Sequence, residues 1–190
     1  MCKGVKHVIR YHTREINKYK NVVLIGHSIG CFFGLQVAKR VTNIDKIILL
    51  FPTIVHMEKT PGREHMDTIE PIYRFVAPMS DYFPKPLSNW LSNSEYGHNL
   101  FHKQIIMNCI GLWHEERIVV TNPNHHWFTQ DKQDYFVIYS TKDDWTPPPV
   151  VRVLRRLFTN TVETDYSHSF VLHEVECKLV AGYIANYLCL

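Results

Sequence analysis

A chain of 190 residues can hold one domain with a real hydrophobic core, and 45% apolar with 21% charged residues is a globular balance, not a disordered one. A formal charge of +3, evenly spread and leaving out twelve histidines, excludes nucleic acid as an expected partner, and no polybasic block marks a membrane anchor. Five cysteines (Cys2, Cys31, Cys109, Cys177, Cys189) form no paired framework and suit a reducing compartment.

Residues 5–18 read as a helix with a mixed face led by Val5, Val8, Ile9 and Ile16. The start of the chain mixes charges with histidines and lacks a signal-peptide core, and no apolar run reaches the roughly 18 residues that cross a bilayer. Val22–Ile25 then forms a buried strand that runs into Gly26-His27-Ser28-Ile29-Gly30, with a helix over 31–40 directly behind it. Gly-x-Ser-x-Gly at a strand-to-helix corner is a nucleophile elbow: the chain turns so sharply that a Cβ at either glycine is expected to collide with its surroundings. Lys46–Phe51 is a second near-continuous apolar strand, stopped by Pro52. Strand, helix and strand with short joins predict a βαβ unit in a parallel sheet covered on both faces.

Residues 56–131 break that rhythm with seven histidines and three of the four tryptophans (Trp90, Trp113, Trp127). Helical fragments are expected near 68–77 and 99–113, and the segment reads as an inserted cap. Its aromatic side chains (Tyr82, Phe83, Trp90, Phe101, Trp113, Trp127) are either cap core or a mouth that touches lipid. Sheet rhythm returns with a strand over 135–140, a helix over 150–158, a short strand over 161–165 and a closing helix. In that last helix Val171, Val175, Leu179, Tyr183, Ile184 and Tyr187 recur at helical steps.

A serine hydroxyl attacks only when a base takes its proton, and the base needs an acid to fix its tautomer. Asp143 and Asp144 follow the strand at 135–140, and His168 follows the strand at 161–165. The chain order Ser28, Asp143, His168 is that of α/β-hydrolases, with Asp144 as the neighbouring candidate for the acid. Ile29 N–H, beside the nucleophile at a helix start, is the expected oxyanion donor. The second donor normally comes from a loop after an earlier strand, yet only residues 1–21 precede the elbow strand. The expectation is therefore an incomplete α/β-hydrolase fold: the C-terminal half of a mostly parallel sheet, truncated at its N-terminal side, with a cap at 56–131. The elbow strand would then lie at an exposed edge open to a protein partner or to self-association. No HExxH is present, and the scattered histidines (His98, His102, His114, His125, His126) give no metal spacing, so neither metal nor cofactor is expected. His27 is expected to pack within the elbow in a structural or modulating role.

Gly26-His27-Ser28-Ile29-Gly30, Leu49-Leu50-Phe51-Pro52-Thr53-Ile54 with Met57, Asp143 with Trp145 and Pro147, and His168 with Phe170 resemble the lipid droplet-associated hydrolase family over about residues 16–58 and 134–188. The resemblance implies an α/β-hydrolase fold, Ser28 as nucleophile, Asp143 as acid through its Asp-x-Trp spacing, and His168 as base. It also implies esterase or lipase-like activity on neutral lipid esters such as sterol esters, and residence at lipid droplets and the cytosolic face of the endoplasmic reticulum. Two further expectations stand beside it. One is an inactive, lipid-droplet-associated or partner-binding remnant that keeps the triad by descent. The other is a cytosolic thioesterase or small-ester esterase.

Overall fold

The computed structural model describes residues 3–55, 57, 60–92, 102–120 and 134–189. Its elements in chain order are α1 (Lys3–Ile16), β1 (Val22–His27), α2 (Ile29–Ala38), β2 (Ile44–Leu50), α3 (Pro61–Ser80), α4 (Lys85–Ser92), α5 (Lys103–Val119), β3 (Asp134–Ser140), α6 (Pro148–Leu157), β4 (Thr161–Thr164) and α7 (Glu174–Leu188). A single 3₁₀ turn at Phe170–Leu172 precedes α7. The chain divides into two compact units, residues 1–61 with 119–190, and residues 62–118.

The first unit is built on a four-stranded sheet in the order β1-β2-β3-β4, with every neighbouring pair parallel. The apolar runs of β2 and β3 suit strands that bury both faces, the coverage expected for the whole sheet; β1 departs from it. Side chains alternate across the sheet. On one face Ile48, Leu50, Phe136 and Ile138 join Phe51, Phe170 and Val180 in a core against which Tyr183, Ile184 and Tyr187 pack. The opposite pleat carries Ile47, Leu49, Val137 and Tyr139, all buried. This is a partial parallel α/β sheet with flanking helices, as expected from the alternation of elements in the sequence. β1 is an outer strand, and Val23 and Ile25 are exposed on it.

Two expectations need correction. A Cβ at Gly26 would lie 2.8 Å from both the Cα and the N of Cys31, so backbone meets backbone and only glycine fits there. At Gly30 nothing lies within 4 Å of that position, so the second glycine of the motif is not a steric requirement. The close approach at Gly26 is also what lets the Cys31 thiol donate to the Gly26 carbonyl at 3.1 Å. The apolar series of the closing helix divides as well: Val180, Tyr183, Ile184 and Tyr187 face the sheet, whereas Val171, Val175 and Leu179 are exposed. Steps of four residues advance about 40° around a helix of 3.6 residues per turn, so a long i, i+4 series winds off the buried face.

In the second unit α3 runs unbroken through Pro71 and Pro78, longer than the fragment expected at 68–77, and α4 had no counterpart in the sequence reading. Interior prolines remove a donor and mask a helix from pattern reading. α3 and α5 are tied together by Arg117–Asp67 at 3.0 Å and His114–Glu70 at 2.9 Å, around a small core of Ala77, Ile106 and Ile110. Cys2, His98, Phe101, His125, His126 and Trp127 lie outside the described residues. No helix among the described residues is long and apolar enough to cross a membrane.

The contrast between the two elbow glycines is directly measurable. Gly26→Ala should lower unfolding stability by about 1–3 kcal/mol, the usual cost of overpacking. Gly30→Ala should be neutral or add up to about 1 kcal/mol of helix propensity. Denaturant titration of both variants separates the outcomes.

Candidate active site

Parallel strands end at the same edge of a sheet, and the loops that follow β1, β2, β3 and β4 bring the expected residues together there. Ser28 sits between β1 and α2 with φ 55° and ψ −126°, a left-handed conformation costly for any residue but glycine. Its strain is held by three backbone bonds. Ser28 N–H donates to the Leu50 carbonyl (3.0 Å), and the Ser28 carbonyl accepts from Cys31 N–H (3.1 Å) and Thr53 N–H (3.2 Å). The Ser28 side chain is thereby pushed out of the turn.

His168, in the loop after β4, places Nε2 2.7 Å from Ser28 Oγ and Nδ1 2.8 Å from Asp143 Oδ2. Asp143, in the loop after β3, has a side chain with no exposed surface. Its second oxygen accepts the Trp145 backbone N–H at 2.8 Å, so the carboxylate is fixed at both oxygens. Asp144, the other candidate for the acid, is exposed to solvent. A carboxylate only accepts, so the His168 proton resides on Nδ1, and Nε2 is free to accept from Ser28. Ile29 is the first residue of α2, and its amide belongs to the first-turn N–H groups that have no intrahelical acceptor.

Two residues around this chain were only partly foreseen. His27 was expected to pack in the elbow; in addition its Nε2 donates to the His168 backbone carbonyl at 3.0 Å, and its ring lies edge-on to Phe170. Burial is the main cause that lowers its pKa below the usual histidine value, which keeps the ring neutral. Thr53 went unremarked as a chemical group. It is buried, and its hydroxyl lies 3.5 Å from Ser28 Oγ. The signal that could have found it is its place two residues past the end of the apolar run at 46–51, at the same sheet edge as the elbow. Phe51 makes the turn between β2 and Thr53 with φ 47°, and its ring stacks on Phe170 at 4.8 Å and meets His168 edge-on.

The chain is 25% identical over 207 residues to the lipid droplet-associated hydrolase of Gallus gallus, covering 97% of this chain and 63% of that protein. It is 24% identical over 190 residues to the protein of the same name in Homo sapiens, covering 89% of this chain and 58% of that one. The chain thus spans about three-fifths of the length of these curated relatives. Among solved structures it resembles MGS-M2, an alpha/beta hydrolase enzyme from a Medee basin deep-sea metagenome library. The TM-score is 0.66 at 17% identity, covering 96% of this chain and 70% of that one, which supports the fold alone. The family model described as lipid-droplet associated hydrolase matches residues 2–173, and the chain belongs to that family.

Proposed function

We propose that this chain carries a serine esterase site of lipase-like type, acting on neutral lipid esters such as sterol esters through Ser28, His168 and Asp143. The observation that carries the reading is the unbroken hydrogen-bond chain from Ser28 Oγ through His168 to the buried Asp143. His168 Nε2 takes the Ser28 proton as Oγ attacks the ester carbonyl carbon, and Asp143 stabilises the imidazolium that forms. The Ile29 N–H, at the positive end of α2, faces the developing oxyanion. The carbon–oxygen bond to the alcohol breaks as His168 returns the proton to that oxygen. Water then attacks the acyl-Ser28 ester, with His168 again accepting and returning the proton. His27 acts one step back, holding the backbone of the base in register with the elbow strand.

The same reading makes the insertion, with its compact part at 62–118, a cap that meets lipid, and places the protein peripherally on lipid droplets and on the cytosolic face of the endoplasmic reticulum. On α3 and just beyond it, Ile72, Phe75, Met79 and Tyr82 recur at three- and four-residue steps and are all exposed. Phe75 is 76% and Tyr82 87% exposed, and apolar side chains grouped on one stripe, rather than scattered singly, support a lipid-contacting face.

Three measurements test these assignments. A fluorophosphonate should label the wild type and leave Ser28→Ala unlabelled, while Asp143→Asn should slow labelling by about 10³–10⁴-fold; equal labelling of Ser28→Ala would remove the nucleophile assignment. Triacylglycerol emulsions coated with phosphatidylcholine should bind the wild type, and Phe75→Glu with Tyr82→Glu should weaken binding at least about tenfold. Those cap changes should leave probe labelling in solution unaltered. The lowered pKa of His27 means that the unfolded chain binds a proton which the folded one resists. Stability should therefore fall as pH drops below about 6.5, and His27→Gln should lessen that fall in urea titrations.

A further inference from the structure

The direction of each proton in the active-site chain can be counted, and the count reaches one residue further. Asp143 accepts from His168 Nδ1, so the neutral ring presents Nε2 as an acceptor. Ser28 must then spend its single proton on His168 Nε2, 2.7 Å away. That leaves the Thr53 hydroxyl, 3.5 Å from Ser28 Oγ and buried, able to meet Ser28 only as donor. The opposite direction, with Ser28 donating to Thr53, would take the serine proton away from the base. Thr53 is also fixed to Ser28 by its own backbone N–H on the Ser28 carbonyl at 3.2 Å. Its loop leaves β2, the strand on the same side of β1 as the strands that deliver Asp143 and His168. A buried hydroxyl with a polar neighbour is retained at a desolvation cost that an isosteric valine would avoid.

We infer that Thr53 is a positioning residue for Ser28: its hydroxyl donates to Ser28 Oγ and so commits the serine proton to His168. The donors run Thr53, Ser28, His168, and Asp143 is the final acceptor. This rests on the proposal that Ser28 is the nucleophile, and on nothing about the substrate.

The test compares fluorophosphonate labelling rates across pH for the wild type, Thr53→Val, Thr53→Ala and Thr53→Ser, each with a thermal melt. Thr53→Val keeps the shape and loses the donor; Thr53→Ser keeps the donor and loses a methyl group. A packing role makes Ser the worse replacement, and a positioning role makes Val the worse one. The expected result is labelling about tenfold slower in Thr53→Val and Thr53→Ala, and within about twofold of the wild type in Thr53→Ser. The pH midpoint should be unmoved, since the His168–Asp143 contact is intact. Labelling of Thr53→Val at the wild-type rate, or an equal loss in Thr53→Ser, overturns the inference while leaving the nucleophile assignment standing. Absence of labelling in the wild type overturns both. Should Thr53→Val and Thr53→Ala fail to melt cooperatively, Thr53→Ser decides alone: a loss of tenfold or more refutes the positioning role.

Discussion

The parallel pairing of β1 to β4 is the constraint on which the site depends. Parallel strands send every connection back across a face of the sheet, so all the strand ends of one polarity share one edge. Gly26 pairs with Leu49 and His27 with Leu50, which puts the elbow level with the turn at Phe51. Leu50 pairs in turn with Ile138, and the Phe51 amide bonds the Ile138 carbonyl at 2.7 Å, carrying the same level to the next strand. A slip of one residue in any of these registers would turn each side chain to the other face and move Ser28, Asp143 and His168 apart.

Backbone strain is concentrated at the edge that carries Ser28, His168 and Asp143. Among the described residues three non-glycine positions have positive φ, and two of them, Ser28 and Phe51, face each other across β1 and β2. Ser28 N–H bonds Leu50 O of β2, while Phe51 N–H bonds Ile138 O of β3 and the Phe51 ring stacks against Phe170. The elbow and the turn after β2 therefore behave as one unit, stabilised by the core beneath them rather than by local preference.

Much of this was legible in the chain. The continuous apolar runs at 22–25, 46–51 and 135–140 mark strands; those at 46–51 and 135–140 have two covered faces, whereas the run at 22–25 is an edge strand with Val23 and Ile25 exposed. A serine, an aspartate and a histidine placed after strand ends in the α/β-hydrolase order are a signal that periodicity alone would not supply. Position after the strand cannot separate Asp143 from Asp144, because adjacent residues share a strand end; the family-like Asp-x-Trp spacing favours Asp143, and burial, a tertiary property, distinguishes the two in the fold. The necessity of Gly30 was misjudged because the motif pattern does not say which glycine meets backbone. The closing helix misled because its stripe drifts around the axis. Thr53 escaped notice because a threonine after a strand carries no chemical mark until a neighbouring loop is folded beside it.

Cys31 lies three residues beyond Ser28, fully buried, with its thiol donating to Gly26 O and close to Leu50 O. Burial pushes its pKa far above the usual thiol range, so it holds its proton and offers no thiolate. Cys109, Cys177 and Cys189 are free and exposed, on α5, on α7 and just past its end. Among the described residues the thiols therefore fall into two sets: those on α5, on α7 and just past its end, which an electrophile can reach, and the one in the elbow, which is silent. Maleimide reporters are directed to Cys109, Cys177 and Cys189, while the protonated, buried Cys31 of the elbow stays unmodified.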